Sequence, residues 1–418
     1  MQPDLPFPSS FTEPKAAPTQ PTPKTLPYPP IELVTSNGAS CVRISFAFTT
    51  SSMQVSTART EPKFNRKNQP DFFAVLNQRV NAYFAEPGRS RKANASMIVK
   101  TVVMLGLYFV PLFVLLGGGY HSPWVVFGLW GLMGLGMAGI GLCVMHDANH
   151  GSYSAHRSVN RAIGFVINFM GCYHGTWQIQ HNVLHHSYTN IEGFDEDTDN
   201  ELMRFTPNRP GKWLFRYQAY YAPFFYCLMS LNRFLVKDFV QVVRFHRTGL
   251  LAAQGRSFAG TLAKILFHKS WYVGLTLVLP VLLSGLPVHQ VLLGFLLMHA
   301  ICGLILALIF QSAHILEETD FFRPGEAGHM THHWAVHQVH TTANFANASP
   351  VFSWLIGGLN FQIEHHLFPN VCHVHYRALS SIVRTTTAEF GLPYHAHTTF
   401  AGALRSHFVY LDRLGRGE

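Results

Sequence analysis

Four apolar stretches, each long enough to cross a bilayer, constrain this chain more than any other feature. A hydrocarbon core about 30 Å thick takes about 20 apolar helical residues, because only a helix or a closed barrel satisfies its own backbone there. The candidates run from Met97 to Gly119, Ser122 to Met145, Trp271 to Pro287 and Val291 to Ala313, and none holds a charged side chain after Lys100. Composition agrees, with 48% hydrophobic and only 13% charged residues, against about a quarter charged in soluble domains. The stretches pair into two hairpins, turning at Tyr120–His121 and Val288–Gln290, and neither turn contains Lys or Arg. Arg89, Arg91 and Lys92 precede the first stretch, and a basic segment from Arg204 to Lys269 precedes the third. By the positive-inside rule both chain ends face the cytoplasm. Most of the +9 net charge is thus topological. Holding anionic lipid, a CoA phosphate or an acidic electron carrier would be at most a secondary role for it.

Residues 1–68 read differently. They are rich in Pro, Ser and Thr, as in TPKTLPYPP, lack the apolar core of a signal peptide, and are expected to be a disordered tail, with Met1 and Met53 both candidate starts. Residues 69–418 would form the folded domain. Apolar residues at helical spacing from Pro70 to Phe84 predict a helix ahead of the membrane. Val159–Cys172 and Tyr221–Leu235 are short for spans and are expected to be interfacial or cap helices.

Three histidine clusters sit beside the apolar stretches: His146 and His150 in HDANH, His181, His185 and His186 in HNVLHH, and His365 and His366 in QIEHH. Imidazole is the commonest transition-metal ligand and binds when neutral. His146 with His150, and His181 with His185, are four residues apart and share a helix face. Adjacent His185 and His186 point about 100° apart, so one can face each of two ions. The six cysteines (Cys41, Cys143, Cys172, Cys227, Cys302, Cys372) form no CxxC pair, which leaves no zinc ribbon or evident disulfide framework. The arrangement therefore points to a metal site at a membrane surface.

The succession HDANHGSYS, HNVLHHSYTNIEGFDEDTD, QSAHILEETDF and GGLNFQIEHHLFPNVCHVHY closely resembles the membrane fatty acid desaturases, in particular the bacterial acyl-CoA or acyl-lipid branch with a front-end-like QxxHH box. The likeness runs from about Phe72 to the C-terminus. It implies an all-α integral membrane protein, four spans beneath a cytosolic helical cap, holding two irons. Carried over position by position, the ligands would be His146, His150, His181, His185, His186, His314, His365 and His366. Gln362 stands where other branches carry a further histidine and would act through a water or by orienting another group. Asp147 and Glu364 are candidate acceptors for ligand N–H groups. Trp177, Trp334 and Thr342 are candidates to line an acyl pocket. His299 falls inside the fourth stretch and is expected to be hydrogen-bonded between helices. His332, His333, His337, His340, His373 and His375 would assist proton delivery or line the cap.

An unactivated methylene has no acidic proton and no leaving group, so its desaturation needs an oxygen-activating metal, with dioxygen as co-substrate. No haem-binding HPGG segment, GxGxxG fingerprint or cysteine cluster is present in the sequence. Electrons would come from a separate ferredoxin or b-type cytochrome, the substrate would be an acyl-CoA or acyl-lipid, and nucleic acid is not among the expected partners. Many front-end relatives carry a fused cytochrome domain, which argues against a front-end position for the new double bond. The rivals are a di-iron hydroxylase or ketolase, separated by its product, and a non-enzymatic haem or metal carrier, which would place its ligands near mid-membrane.

Overall fold

A computed structural model describes residues 61–119 and 122–418. The expectation of disorder for 1–60, and the turn at Tyr120 and His121, lie outside the described residues. Residues 61–68 depart from the expected tail. The Lys63 amide donates to the Gly328 carbonyl at 2.8 Å, the Met330 amide donates to Lys63, and Asn65 pairs with His332. The ring of Phe64 lies 5.2 Å from that of His337. Backbone pairing with a distant loop, invisible in local composition, holds this segment to the folded part.

Among the described residues four helices are long and apolar enough to span a membrane: Ala95–Gly117, Pro123–Asn149, Phe258–Leu283 and Val288–His314. Local chemistry sets their ends. The Asn94 side chain accepts from the Met97 amide, Ser257 from Gly260, and Pro123 and Pro287 open the second and fourth helices. The third helix begins thirteen residues before the expected Trp271, and the fourth includes Val288–Gln290, so the second turn is Ser284–Pro287. Lys264 and Lys269 made the earlier turns look like a boundary. Lys264 is exposed, and buried pairing of Lys269 with Asp238 at 2.9 Å lets the helix continue through it.

The second span is the hub. Gly136 lets it approach the first so closely that a Cβ there would lie 2.5 Å from the Tyr108 amide nitrogen, and one at Gly134 would lie 2.9 Å from the Met298 carbonyl of the fourth span. His299 behaves as expected, with Nδ1 3.0 Å from Ser230 Oγ and Nε2 2.9 Å from Tyr272 OH. The segment Tyr221–Leu235 lies within Gln218–Cys227, Met229–Asn232 and the turn Arg233–Lys237, packed along the fourth span.

A second core lies at the end of the bundle where spans two and four finish. Helix Pro70–Ala85 presents Phe72, Leu76 and Val80, spaced by four, to Val336, Val339, Ile363, Leu367, Leu379 and Val383. These residues come from the helices Trp334–Thr341, Gln362–Leu367 and Tyr376–Glu389. Two-residue parallel strands, Asn344–Phe345 and Ala396–His397, tie the loop ahead of Gln362 to the C-terminal part. The fold is thus all-helical in its framework, as expected, with a helical cap over one end of four candidate spans.

Candidate metal centre

Each histidine cluster ends or interrupts a helix, and this brings the clusters together. His146 lies in the last turn of the second span and His150 caps it, while His314 is the last residue of the fourth. His365 and His366 lie in the helix Gln362–Leu367. The second cluster has a feature that sequence spacing did not reveal: residues Ile179–His185 form a π turn, closed by the His186 amide donating to the His181 carbonyl. A π turn bonds i to i+5, and such turns gather at functional sites. It stacks the His181 ring on His185 at 5.3 Å and also sets it 4.8 Å from His186. A further π turn, Ile140–Val144, precedes His146.

The histidines divide into two groups. One nitrogen from each of His146, His150, His181 and His365 lies within 4.8 Å of the others, and the same holds for His185, His314 and His366. His186 stands between the groups, its ring 4.7 Å from His150 and 4.6 Å from His365 on one side and 4.5 Å from His366 on the other. The His365–His366 pair is split, one residue to each group.

Hydrogen bonding shows which nitrogens are free. The Nδ1 atoms of His185, His314, His365 and His366 face Asp195 at 3.2 Å, the Thr341 carbonyl at 3.2 Å, Tyr376 OH at 3.1 Å and Gln338 Oε1 at 2.8 Å. Meanwhile Nε2 of His150, His314, His365 and His366 is buried without a hydrogen-bond partner among the described residues. Leaving so many buried polar atoms unsatisfied is costly, and a metal ion removes the cost by taking up their lone pairs. Burial, reinforced by the neighbouring imidazoles, holds His150, His181, His186, His365 and His366 well below the usual imidazole range and so in the neutral, ligating form. Burial also disfavours charge on His185, but the Asp195 carboxylate outweighs it and raises the pKa. The donor set fits metal ions.

The other nominated residues separate. Trp177 stacks on His181 at 4.5 Å and touches the centre directly. Trp334 donates its indole N–H to the His186 carbonyl at 3.1 Å, and Thr342 donates to the Gln338 carbonyl, so the polar groups of both brace the second box and its support. Gln362 is buried, with Nε2 unpartnered among the described residues. Asp147 Oδ1 lies 3.8 Å from His146 Nδ1, and its close partner is His373. Glu364 meets Asn344 and Tyr394 rather than a clustered histidine, and burial pushes its carboxyl up to about 7. Sequence reasoning missed Asp195, Gln338 and Tyr376; of these only Asp195, within the acidic run after HNVLHH, left a local signal.

The profile of the family described as Fatty acid desaturase matches residues 122–398. The chain is 36% identical over 370 residues to an sn-1 linoleoyl-lipid 6-desaturase of Synechocystis sp., covering 85% of this chain and 98% of that protein. It is 33% identical to the enzyme of the same name from Arthrospira platensis, over 82% of this chain and 92% of that one. To an acyl-lipid (8-3)-desaturase of Physcomitrium patens it is 35% identical, over 83% and 72%. With the profile spanning most of the chain and the likeness extending over nearly the full length of the Synechocystis protein, this chain belongs to the fatty acid desaturase family.

Proposed function

We propose that this desaturase introduces a double bond at carbon 6 of a linoleoyl-type chain carried on a membrane glycerolipid, at a centre of two irons. The observation that carries the metal assignment is the division of buried histidines into a group of four and a group of three with His186 between them. His146, His150, His181 and His365 would hold one iron and His185, His314 and His366 the other, and His186, between the groups, would give its single lone pair to one of them. The lipid substrate and the bond position rest on the names of the relatives. The Synechocystis relative is matched over 98% of its length, so the lack of an HPGG segment in this sequence does not weigh against this position.

Two irons held here would supply, with dioxygen, the oxidising power that no side chain has against an unactivated methylene. Two electrons and two protons leave the carbons and two of each arrive from outside, reducing one dioxygen to two waters. A separate ferredoxin or b-type cytochrome would deliver the external electrons. The protein itself gathers and aims eight imidazoles, keeps His150, His181, His186, His365 and His366 neutral by burial, and lays the Trp177 ring along one side as an apolar wall for the acyl chain. By the positive-inside rule the cluster and both ends would face the cytoplasm.

Lipid profiling of a host expressing the chain, with and without linoleoyl lipid, tests the function. A new double bond at carbon 6 is expected. A hydroxylated or keto product, or no lipid product with donor and iron present, would overturn it. A chain starting at Met53 is expected to keep turnover, because no histidine cluster precedes it; loss of turnover with membrane insertion intact would refute that.

Gln362 provides a finer test. Its unpartnered amide is proposed to hydrogen-bond a group beside the irons rather than to hold one. Gln362→Leu removes an orphaned buried polar group, so fold and iron content should be retained. Turnover should fall by about tenfold or more, as for other groups supporting a metal centre. Wild-type turnover in that variant would show the glutamine to be structural.

A further inference from the structure

Lys100 lies in the second turn of the first span and is 1% exposed. A lysine so buried is costly unless paired. Its Nζ lies 2.6 Å from His373 Nε2, with the Trp354 ring 5.4 Å away. On the other side of the same imidazole, His373 Nδ1 is 2.9 Å from Asp147 Oδ2, which also accepts from the His373 backbone amide at 3.1 Å. The other oxygen of Asp147 faces His146 Nδ1, which has no hydrogen-bond partner among the described residues. Asp147, Cys372 and His373 bring three potential ligand atoms within 4.8 Å of one another, an arrangement suited to a cation. The Lys100 ammonium already stands against it.

We propose that Lys100 is a positioning residue for the four-histidine half of the centre, acting through His373 and Asp147 on His146. Donation from Lys100 into His373 Nε2 leaves the proton of that imidazole on Nδ1, where it binds Asp147. Asp147, fixed by two donors, presents its second oxygen to His146 Nδ1 and favours the proton there. The Nε2 lone pair of His146, 3.0 Å from His181 Nε2, is then left for the metal. Nothing in this chain of contacts touches His185, His314 or His366. Its effect is therefore confined to one of two sites.

This inference rests on the proposed two-iron reading, and the experiment separates the two. Iron per folded protein is measured for the full chain, Lys100→Met and His373→Phe during dialysis against a ferrous chelator, with Mössbauer spectra of what remains. The unaltered chain is expected to hold two irons; fewer than two before dialysis would overturn the two-iron reading itself. Lys100→Met is expected to release one iron about ten to a hundred times more readily, the effect usual for partners of ligand histidines, and to leave a single spectral component. His373→Phe interrupts the same chain at its middle and should do likewise, which covers the case in which the methionine variant fails to fold. Retention of both irons at the wild-type rate, or loss of both together in step with metal-free thermal stability, would overturn the proposal.

Discussion

Replacing His366 or His186 with Ala is expected to remove iron and desaturation together. His366 is anchored through Nδ1 to Gln338, and its Nε2 has no hydrogen-bond partner among the described residues. His186 stands between the two groups with its Nδ1 unpartnered among the described residues, so its loss removes a ligand nitrogen where the groups meet. His375 and His299 serve as controls. The first bonds the Lys92 carbonyl at 3.0 Å and packs edge-on against Phe84; the second is held by Ser230 and Tyr272 within the span bundle. Alanine at either should affect packing but leave iron per folded protein unchanged. Metal analysis of the four purified variants decides the matter, and full iron in both His186→Ala and His366→Ala would refute the ligand assignment.

The second large effect concerns stability. Asp238 is wholly buried and accepts from Lys269 at 2.9 Å, the Tyr173 amide at 3.0 Å and Thr176 Oγ1 at 2.7 Å. Lys269 in turn donates to the carbonyls of Gly171 at 2.9 Å and Phe234 at 2.5 Å. This node clamps the third span to the loop that leads into the second histidine cluster. Asp238→Ala would strand a buried ammonium and two further donors, at a cost of about 3–5 kcal/mol. The expected result is a marked fall in thermal midpoint and in folded yield. Asp238→Leu combined with Lys269→Met removes both charges and should recover much of the loss, because well-packed apolar replacements of a buried pair are often neutral. A double-mutant cycle with no coupling between the two positions would show that the pair does not hold the node together.

Much of the framework was legible because it depends on local runs of residues. Twenty apolar residues declare a span whatever lies around them, and Phe72, Leu76 and Val80 declare a helix face. The histidine clusters were legible for the same reason: HNVLHH and QIEHH carry their ligands within a turn or two. What stayed hidden depends on distance along the chain. Gln338 lies 28 residues from His366, and Lys100 lies 273 from His373. No periodicity links them. The start of the third span was misplaced because Lys269 reads as a helix end until its partner Asp238 is seen. The π turn at Ile179–His185 escaped because a regular 3.6-residue period was assumed, yet that turn is what sets His186 over His181.

The uneven apolarity of the four spans bears on how the protein enters a membrane during synthesis. The third, Phe258–Leu283, has a mean hydropathy of 1.4 over an 18-residue window, against 2.6 for the fourth, and the helix carries Lys264 and Lys269. A lysine near the middle of a helix presented alone to the insertion machinery costs about 2.5–3.5 kcal/mol. The fourth span follows after only the short turn Ser284–Pro287, so the two are suited to enter as a pair, with the more apolar helix carrying the other. Asp238 leaves the ribosome before Lys269, so the carboxylate that neutralises the lysine is already made when the third span arrives. Order of synthesis and order of charge pairing therefore run in the same direction.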